Sequence, residues 1–193
     1  ITPPGGGTAT YRSSDGEDTY RQDRRGLITT TIYSNGWPVL VSNKQDRVRR
    51  LTYDDHGNLL RRVDFDGATN SWAYNDLGLV TAATNALGHV WRYGYDTYGN
   101  RTNRLSPLGH STRMSYDAAG RLTARTEPGD RTTTFEYDSF GNIRKATDPG
   151  GRTISFGYDP AGIDLLAITN GRGAVWRYEY DALGRLSRTI DPE

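Results

Sequence analysis

Apolar and polar residues alternate in short runs along this chain, and glycine breaks the alternation at regular intervals. In residues 132–137, Thr133, Phe135 and Tyr137 fall on one side while Thr132, Thr134 and Glu136 fall on the other. The same two-residue period groups Trp91 with Tyr93 and Tyr95, and Trp176 with Tyr178 and Tyr180. The return segments, such as Leu122-Thr123-Ala124-Arg125-Thr126, alternate too. Alternation over five or six residues, rich in threonine and aromatics and bounded by turn residues, predicts half-buried β-strands. At roughly 3.3 Å per residue such strands are about 17–20 Å long. No helix is predicted: Asp164-Leu165-Leu166-Ala167-Ile168 is too short and sits between turns.

The turns keep time. Tyr53, Tyr74, Tyr95, Tyr116, Tyr137, Tyr158 and Tyr180 are separated by 21, 21, 21, 21, 21 and 22 residues. Six are followed by an acid (Asp54, Asp96, Asp117, Asp138, Asp159 and Asp181), and Asn75 stands in the remaining place. A glycine lies four residues after each tyrosine, at Gly57, Gly78, Gly99, Gly120, Gly141, Gly162 and Gly184. Self-similarity at a fixed period of this size is the mark of a repeat architecture.

A second turn signal falls about half a period away. It runs through Asp64-Phe65-Asp66-Gly67, Asn85-Ala86-Leu87-Gly88, Ser106-Pro107-Leu108-Gly109, Glu127-Pro128-Gly129, Asp148-Pro149-Gly150 and Asn170-Gly171-Arg172-Gly173. Asp, Asn or Ser first, proline second and glycine last suit a type I turn followed by a left-handed residue. Each repeat is thus one β-hairpin plus the reversal leading to the next. Upstream the register decays: Tyr33-Ser34-Asn35-Gly36 reads as the first turn shortened by one residue, Asn43 is in second-turn phase, and Asp23-Arg24-Arg25-Gly26 is a further turn. Residues 1–21 read as an irregular lead-in or cap, 22–52 as degenerate repeats and 53–193 as the regular array. Ile190-Asp191-Pro192-Glu193 enters a second turn in phase with Asp148-Pro149, so the array is expected to be a piece of a longer one.

Composition changes the picture of stability. The hydrophobic fraction is 34%, against roughly 45–50% (glycine included) in ordinary globular domains. There are 13 tyrosines but 4 phenylalanines and 1 methionine, too few aliphatic and phenyl groups for a conventional core. Ladders of equivalent side chains, each repeat packing on its neighbours, are the expected alternative. The 24 basic and 23 acidic residues nearly cancel, which gives no electrostatic basis for capturing nucleic acid or an anionic membrane. No apolar stretch approaches a membrane span and no signal-peptide pattern opens the chain, so membrane insertion is not expected. With no cysteine, disulfides and thiolate chemistry are excluded.

Candidate chemistry is sparse. Aspartates one hairpin apart lie two strand spacings apart, roughly 9–10 Å, too far for a retaining glycosidase pair and marginal for an inverting one. They are read as turn acceptors. His89 and His110 are 21 residues apart and each follows a turn glycine, too far apart to share a zinc ion; His56 sits inside a turn. All three are read as polar surface groups. No phosphate loop, Ser/His/Asp set or nucleophile elbow occurs, and no metal or cofactor is expected. Asn100-Arg101-Thr102 is a formal glycosylation sequon. The ambiguous feature is the aromatic face: Trp72, Trp91 and Trp176 with Tyr93 and Tyr178. Such rows pack a sheet, and on an open sheet they also stack on sugar rings. Arg92 and Arg177 fall on the opposite side.

The repeats carry a family resemblance. Tyr116-Asp117-Ala118-Ala119-Gly120-Arg121-Leu122 and Tyr180-Asp181-Ala182-Leu183-Gly184-Arg185-Leu186 resemble the signature of the YD-repeat, or rearrangement-hotspot (RHS), family. Tyr137 to Ile143 and Tyr95 to Arg101 match nearly as well. The resemblance covers residues 43–193 well and 22–42 weakly. It implies an all-β fold of tandem YD hairpins forming a continuous antiparallel spiral sheet, a fragment of an RHS shell. Members of the family include bacterial polymorphic toxins, insecticidal toxin-complex shells, wall-associated proteins and teneurins. The implied role is a non-catalytic structural segment of a larger secreted or surface protein, with the remainder of that parent and an enclosed toxin or effector as partners. The alternative is a module binding glycans or a cell surface. The core-end segment at which bacterial members cleave themselves has no match here, so self-cleavage does not carry over.

Overall fold

The structure, a computed structural model, describes residues 9–12, 19–22, 28–43, 45 and 47–192. None of them is helical, so among the described residues no helix is long and apolar enough to cross a membrane. The chain divides into two compact units, Ile1–Tyr93 and Gly94–Glu193. The first holds β1 (Ala9–Arg12), β2 (Thr19–Gln22), β3 (Ile28–Ser34), β4 (Trp37–Ser42), β5 (Val48–Tyr53), β6 (Leu59–Val63), β7 (Thr69–Tyr74), β8 (Val80–Thr84) and most of β9 (Val90–Tyr95). The second holds β10 (Arg101–Leu105), β11 (Ser111–Tyr116), β12 (Leu122–Glu127), β13 (Arg131–Tyr137), β14 (Ile143–Thr147), β15 (Thr153–Tyr158), β16 (Leu165–Asn170), β17 (Val175–Tyr180) and β18 (Leu186–Ile190).

Within each unit every strand pairs antiparallel with the one before it. The predicted all-β architecture of tandem hairpins is what forms. Part of the stretch read as an irregular lead-in is regular: β1 and β2 pair from Ala9↔Gln22 to Arg12↔Thr19. Both strands contain Thr-Tyr, residues that favour extended backbone. The turn expected at Asp23–Gly26 lies outside the described residues.

Direct partners across antiparallel strands project to the same face, so the register sorts the side chains. In the first unit one face carries the row Trp72–Ala83–Trp91, and in the second unit one face carries the rows Phe135–Ala146–Ile154 and Phe156–Ile168–Trp176. The opposite face carries Ala73–Ala82–Arg92 in the first unit, and Thr134–Thr147–Thr153, Glu136–Lys145–Ser155 and Gly157–Ala167–Arg177 in the second. In each unit the two faces thus differ: aromatic and aliphatic side chains gather on one, and small, hydroxyl-bearing and charged side chains gather on the other. Among the described residues none is buried, apolar or polar. The core of an ordinary domain is replaced by half-buried rows.

Strict alternation fails at one place in seven of the hairpins. Tyr137 pairs with Ile143 while Glu136 pairs with Lys145, so Arg144 is an extra residue on the return strand. The same bulge puts Thr123 opposite the end of β11, Leu166 opposite β15, Ser187 opposite β17, Leu60 opposite β5 and Thr81 opposite β7. An extra residue bends the strand and strengthens its twist. It also pairs six of the signature tyrosines with a Leu, Ile or Val: Tyr53 with Leu59, Tyr74 with Val80, Tyr116 with Leu122, Tyr137 with Ile143, Tyr158 with Leu165 and Tyr180 with Leu186.

Three turns differ from their sequence reading. In Asp148–Arg152 the left-handed residue is Gly151 (φ 78°), not Gly150, because the turn closes from Gly151 N–H to Asp148 O (2.9 Å). At Pro128-Gly129-Asp130 both Gly129 (φ 82°) and Asp130 (φ 56°) are left-handed; glycine one place earlier converts the turn to a type II geometry. Asn35 (φ 51°) and Gly36 (φ 79°) sit between the paired Ser34 and Trp37. Two left-handed central residues define a type I′ hairpin, a different turn from the longer ones downstream.

Candidate functional site

The most repeated local structure is the Tyr-Asp-x-x-Gly turn, and its parts interlock. Asp54 N–H donates to Asn58 O (3.0 Å) and Gly57 N–H donates to Asp54 O (3.1 Å). The Asp54 carboxylate accepts His56 N–H (3.0 Å) and Asn58 N–H (2.8 Å) on Oδ1, and the Asn58 Nδ2 amide (2.9 Å) on Oδ2. Asp96 repeats this set with Tyr98 and Asn100. In Asp117 and Asp181 the third donor is an arginine, Arg121 Nε (2.7 Å) and Arg185 Nε (2.8 Å). Asn75 accepts Leu77 N–H (3.1 Å) and Leu79 N–H (2.9 Å), so an amide oxygen does the backbone part of the job. The second turns use the same cap: Asp148, Asn85 and Asn170 each accept two N–H groups, and Asn43 does so upstream.

These contacts stabilise the ionised carboxylates. The side-chain amides of Asn58 and Asn100 hold Asp54 and Asp96 below the usual carboxylate range. Backbone N–H groups of Arg121, Arg152 and Asp164 lead at Asp117, Asp148 and Asp159, and the Arg185 side chain leads at Asp181. At Asp138 partial burial pushes upward, but the hydrogen bonds of Asn142 and its neighbours outweigh it and the carboxyl ends lower.

The tyrosines tie one hairpin to the one before. Tyr74 OH donates to Leu59 O (2.9 Å), Tyr116 OH to Arg101 O (3.0 Å) and Tyr137 OH to Leu122 O (2.8 Å). Tyr158 OH reaches Ile143 O (3.2 Å) and Tyr180 OH reaches Leu165 O (3.1 Å). Partial burial raises the phenol pKa of Tyr74 and Tyr158, with the nearby charges of Asp54 and Asp138 adding to it; burial alone raises Tyr53.

Successive turns also touch. Asn142 Nδ2 donates to Gly162 O (2.8 Å), one hairpin on, and Arg121 lies over the Tyr137 ring (4.8 Å) while donating to Asp138 O (3.3 Å). Phe140 packs onto the Cα of Gly162 so closely that a Cβ there would stand 2.5 Å from the ring. Trp37 covers Gly57 in the same manner and stacks on Tyr53 (5.7 Å).

The aromatic candidates are brought together in part. Trp72 and Trp91 flank Ala83 in one row, and Trp176 lies across Ile168 from Phe156. All are half-buried. The guanidinium of Arg62 lies over Trp72 (6.0 Å) and occupies part of that ring. Arg92 and Arg177 pair with Ala82 and Ala167, on the opposite face. Beside Trp72 runs an open groove of about 600 Å³, lined by Asp54, His56, Asn58, Tyr74 and Leu77 among others. His56, His89 and His110 are exposed. No group of three or more potential ligands for a metal ion occurs among the described residues. The sequon Asn100 donates its amide to Asp96 Oδ2 (3.0 Å) and packs against Gly120.

Sequence reasoning missed the tyrosine-to-carbonyl bond and the aromatic caps over glycine. The first has a signal in hindsight: phenylalanine would serve the packing, yet tyrosine stands at all seven positions.

Hairpins of one kind, each capped by the same carboxylate turn and hooked to its predecessor by the same hydroxyl, define a tandem β-hairpin repeat protein. The RHS repeat model matches residues 74–111, 99–132, 116–153, 137–163 and 158–193, and the chain belongs to the RHS-repeat family. No curated protein matches it. Among solved structures it is similar to TcdB2-TccC3 without its hypervariable C-terminal region, at 14% identity over 93% of this chain and 15% of that one, with a TM-score of 0.32. The Photorhabdus luminescens Tc holotoxin pore is similar at 14% identity, 96% and 16% coverage, and a TM-score of 0.36. This chain therefore spans about a sixth of the length of those proteins.

Proposed function

We propose that this chain is a non-catalytic wall segment of a longer exported RHS-repeat protein, in which the sheet encloses a toxin or effector polypeptide. The observation that carries the reading is that each unit's sheet has one aromatic, half-exposed face, with no buried residue among those described. A sheet normally covers its apolar face with a second layer; in this reading the enclosed polypeptide and the rest of the wall do so. Family membership supports the structural part of this reading. The tyrosine, aspartate and glycine of each copy serve the wall itself. Residues 53–193 form its regular part, and 22–52 a degenerate extension.

The test is limited proteolysis of the longer natural chain, with and without two of the hairpins between residues 53 and 193. Enclosure predicts that the shortened wall exposes the enclosed segment to protease. Equal resistance in both would remove the reading.

A second reading, glycan or cell-surface binding, draws on the Trp72–Ala83–Trp91 row beside its groove. A glycan array comparing the chain with Trp91→Ala and Trp176→Ala tests it, and specific binding lost in those variants is the outcome it requires.

A further inference from the structure

The chain contains two Asn-Gly dipeptides, Asn35-Gly36 and Asn170-Gly171. They are chemically alike and structurally opposite. Asn-Gly is the sequence at which the following backbone nitrogen most easily reaches the asparagine side chain, because glycine puts no Cβ in the way. We infer that Asn35 is a site of spontaneous deamidation, passing through a succinimide to isoaspartate and aspartate, and that Asn170 is protected by its turn.

At Asn170 the carboxamide is committed. Its Oδ1 accepts Arg172 N–H and Ala174 N–H, both at 3.0 Å, and its backbone carbonyl accepts Gly173 N–H at 2.9 Å. The following glycine is hemmed in: a Cβ on Gly171 would lie 3.2 Å from Thr153 N. Rotating the Asn170 side chain toward Gly171 N breaks two hydrogen bonds and requires the backbone to move against its neighbour. At Asn35 none of this applies. Asn35 and Gly36 are exposed at the tip of the type I′ hairpin, and nothing lies within 4 Å of a Cβ built on Gly36. Only the two turn residues must rearrange.

The chemistry is intramolecular and needs only water. Gly36 N attacks Cγ of Asn35, the new N–Cγ bond closes the five-membered ring, and the Cγ–Nδ2 bond breaks as ammonia leaves with the proton from Gly36 N. Water then opens the ring at either carbonyl. Opening at Cγ gives aspartate; opening at the former backbone carbonyl gives isoaspartate, with the chain rerouted through Cγ. Isoaspartate lengthens the main chain by one carbon inside a two-residue turn. The Ser34↔Trp37 pair cannot keep its register across the longer link, and Trp37 is the ring that covers Gly57 and stacks on Tyr53.

The test is to age the folded chain in mildly alkaline buffer and follow both sites by peptide mapping and mass spectrometry, with a parallel sample in denaturant. In the folded chain Asn35 is expected to react about thirtyfold faster than Asn170, the factor that two net hydrogen bonds supply. In denaturant the two rates should converge. Equal rates in the folded chain, or faster reaction at Asn170, would overturn the inference. So would a preference for Asn35 that persists undiminished in denaturant, since sequence rather than structure would then be its source. Asn35→Gln should abolish the reaction at that site and leave Asn170 unchanged.

Discussion

The hydroxyl of Tyr137 donates to the carbonyl oxygen of Leu122 at 2.8 Å, and Leu122 is itself the cross-strand partner of Tyr116, the equivalent tyrosine one repeat earlier. A signature residue therefore acts twice, once inside its own hairpin by packing and once on the preceding hairpin by hydrogen bonding. Stability in such an array is a sum of nearest-neighbour terms.

Tyr137→Phe and Tyr158→Phe keep the ring and remove the hydroxyl. Each is expected to cost about 0.5–1.5 kcal/mol, the net value of one hydrogen bond. Urea denaturation measures it. Because Ile143 is both the cross-strand partner of Tyr137 and the acceptor of the Tyr158 hydroxyl, the double variant should depart from additivity.

Acid should act through the turns. The unfolded chain titrates its aspartates near about 3.9, and the folded-state values of Asp54, Asp96, Asp117, Asp138, Asp148, Asp159 and Asp181 are lower. Their contribution is therefore complete above the unfolded value and disappears as pH falls through the folded ones. Thermal melts should hold a constant Tm from neutral to mildly acidic pH and drop below it. Asp117→Asn, which reproduces the residue found naturally at Asn75, should flatten that drop slightly. A Tm that falls before the carboxylate range is reached would point to some other titrating group.

Two glycines separate backbone strain from packing. Gly88 has φ 78° with nothing near its missing Cβ, whereas Gly162 has φ 71° under the Phe140 ring. Gly88→Ala is expected to cost about 1–2 kcal/mol from left-handed strain alone. Gly162→Ala should cost more, and Phe140→Ala should recover the excess. A double-mutant cycle read by chemical denaturation checks it; equal costs at the two glycines would mean that Phe140 yields freely.

The 22-residue copy offers a deletion. Asp159 Oδ1 accepts both Ile163 N–H (2.7 Å) and Asp164 N–H (3.0 Å), and Ile163 is exposed. Removing Ile163 restores the common spacing and leaves the Asp164 contact in place. The expected change in stability is within about 0.5 kcal/mol, measured by the urea midpoint. A severe loss would show that the longer turn is needed where it stands.

Turns and strands were legible because glycine, proline and the aspartate cap act within five residues of one another. The return-strand bulge was not. Thr123, Arg144, Leu166 and Ser187 range from hydroxyl to cationic to aliphatic, and the extra residue is set by the pairing of the whole hairpin rather than by the residue that occupies it. Gly150 and Gly151 show the same limit on a smaller scale: either glycine tolerates a left-handed conformation, and the turn's closing hydrogen bond selects one. The aromatic rows were partly legible. Period two groups Trp91 and Trp176 with the tyrosines that follow them in the same strands, but only the register brings Trp72 and Trp91 to opposite sides of Ala83.

The hook from each tyrosine to the hairpin before it has a mechanical meaning. Tension applied along the chain within either unit loads one antiparallel hairpin at a time, as a zipper is loaded at its slider. Each yielding step frees a similar length and breaks a similar small set of bonds. Nearest-neighbour stability of this kind is expected to let either unit open link by link under a nearly level force.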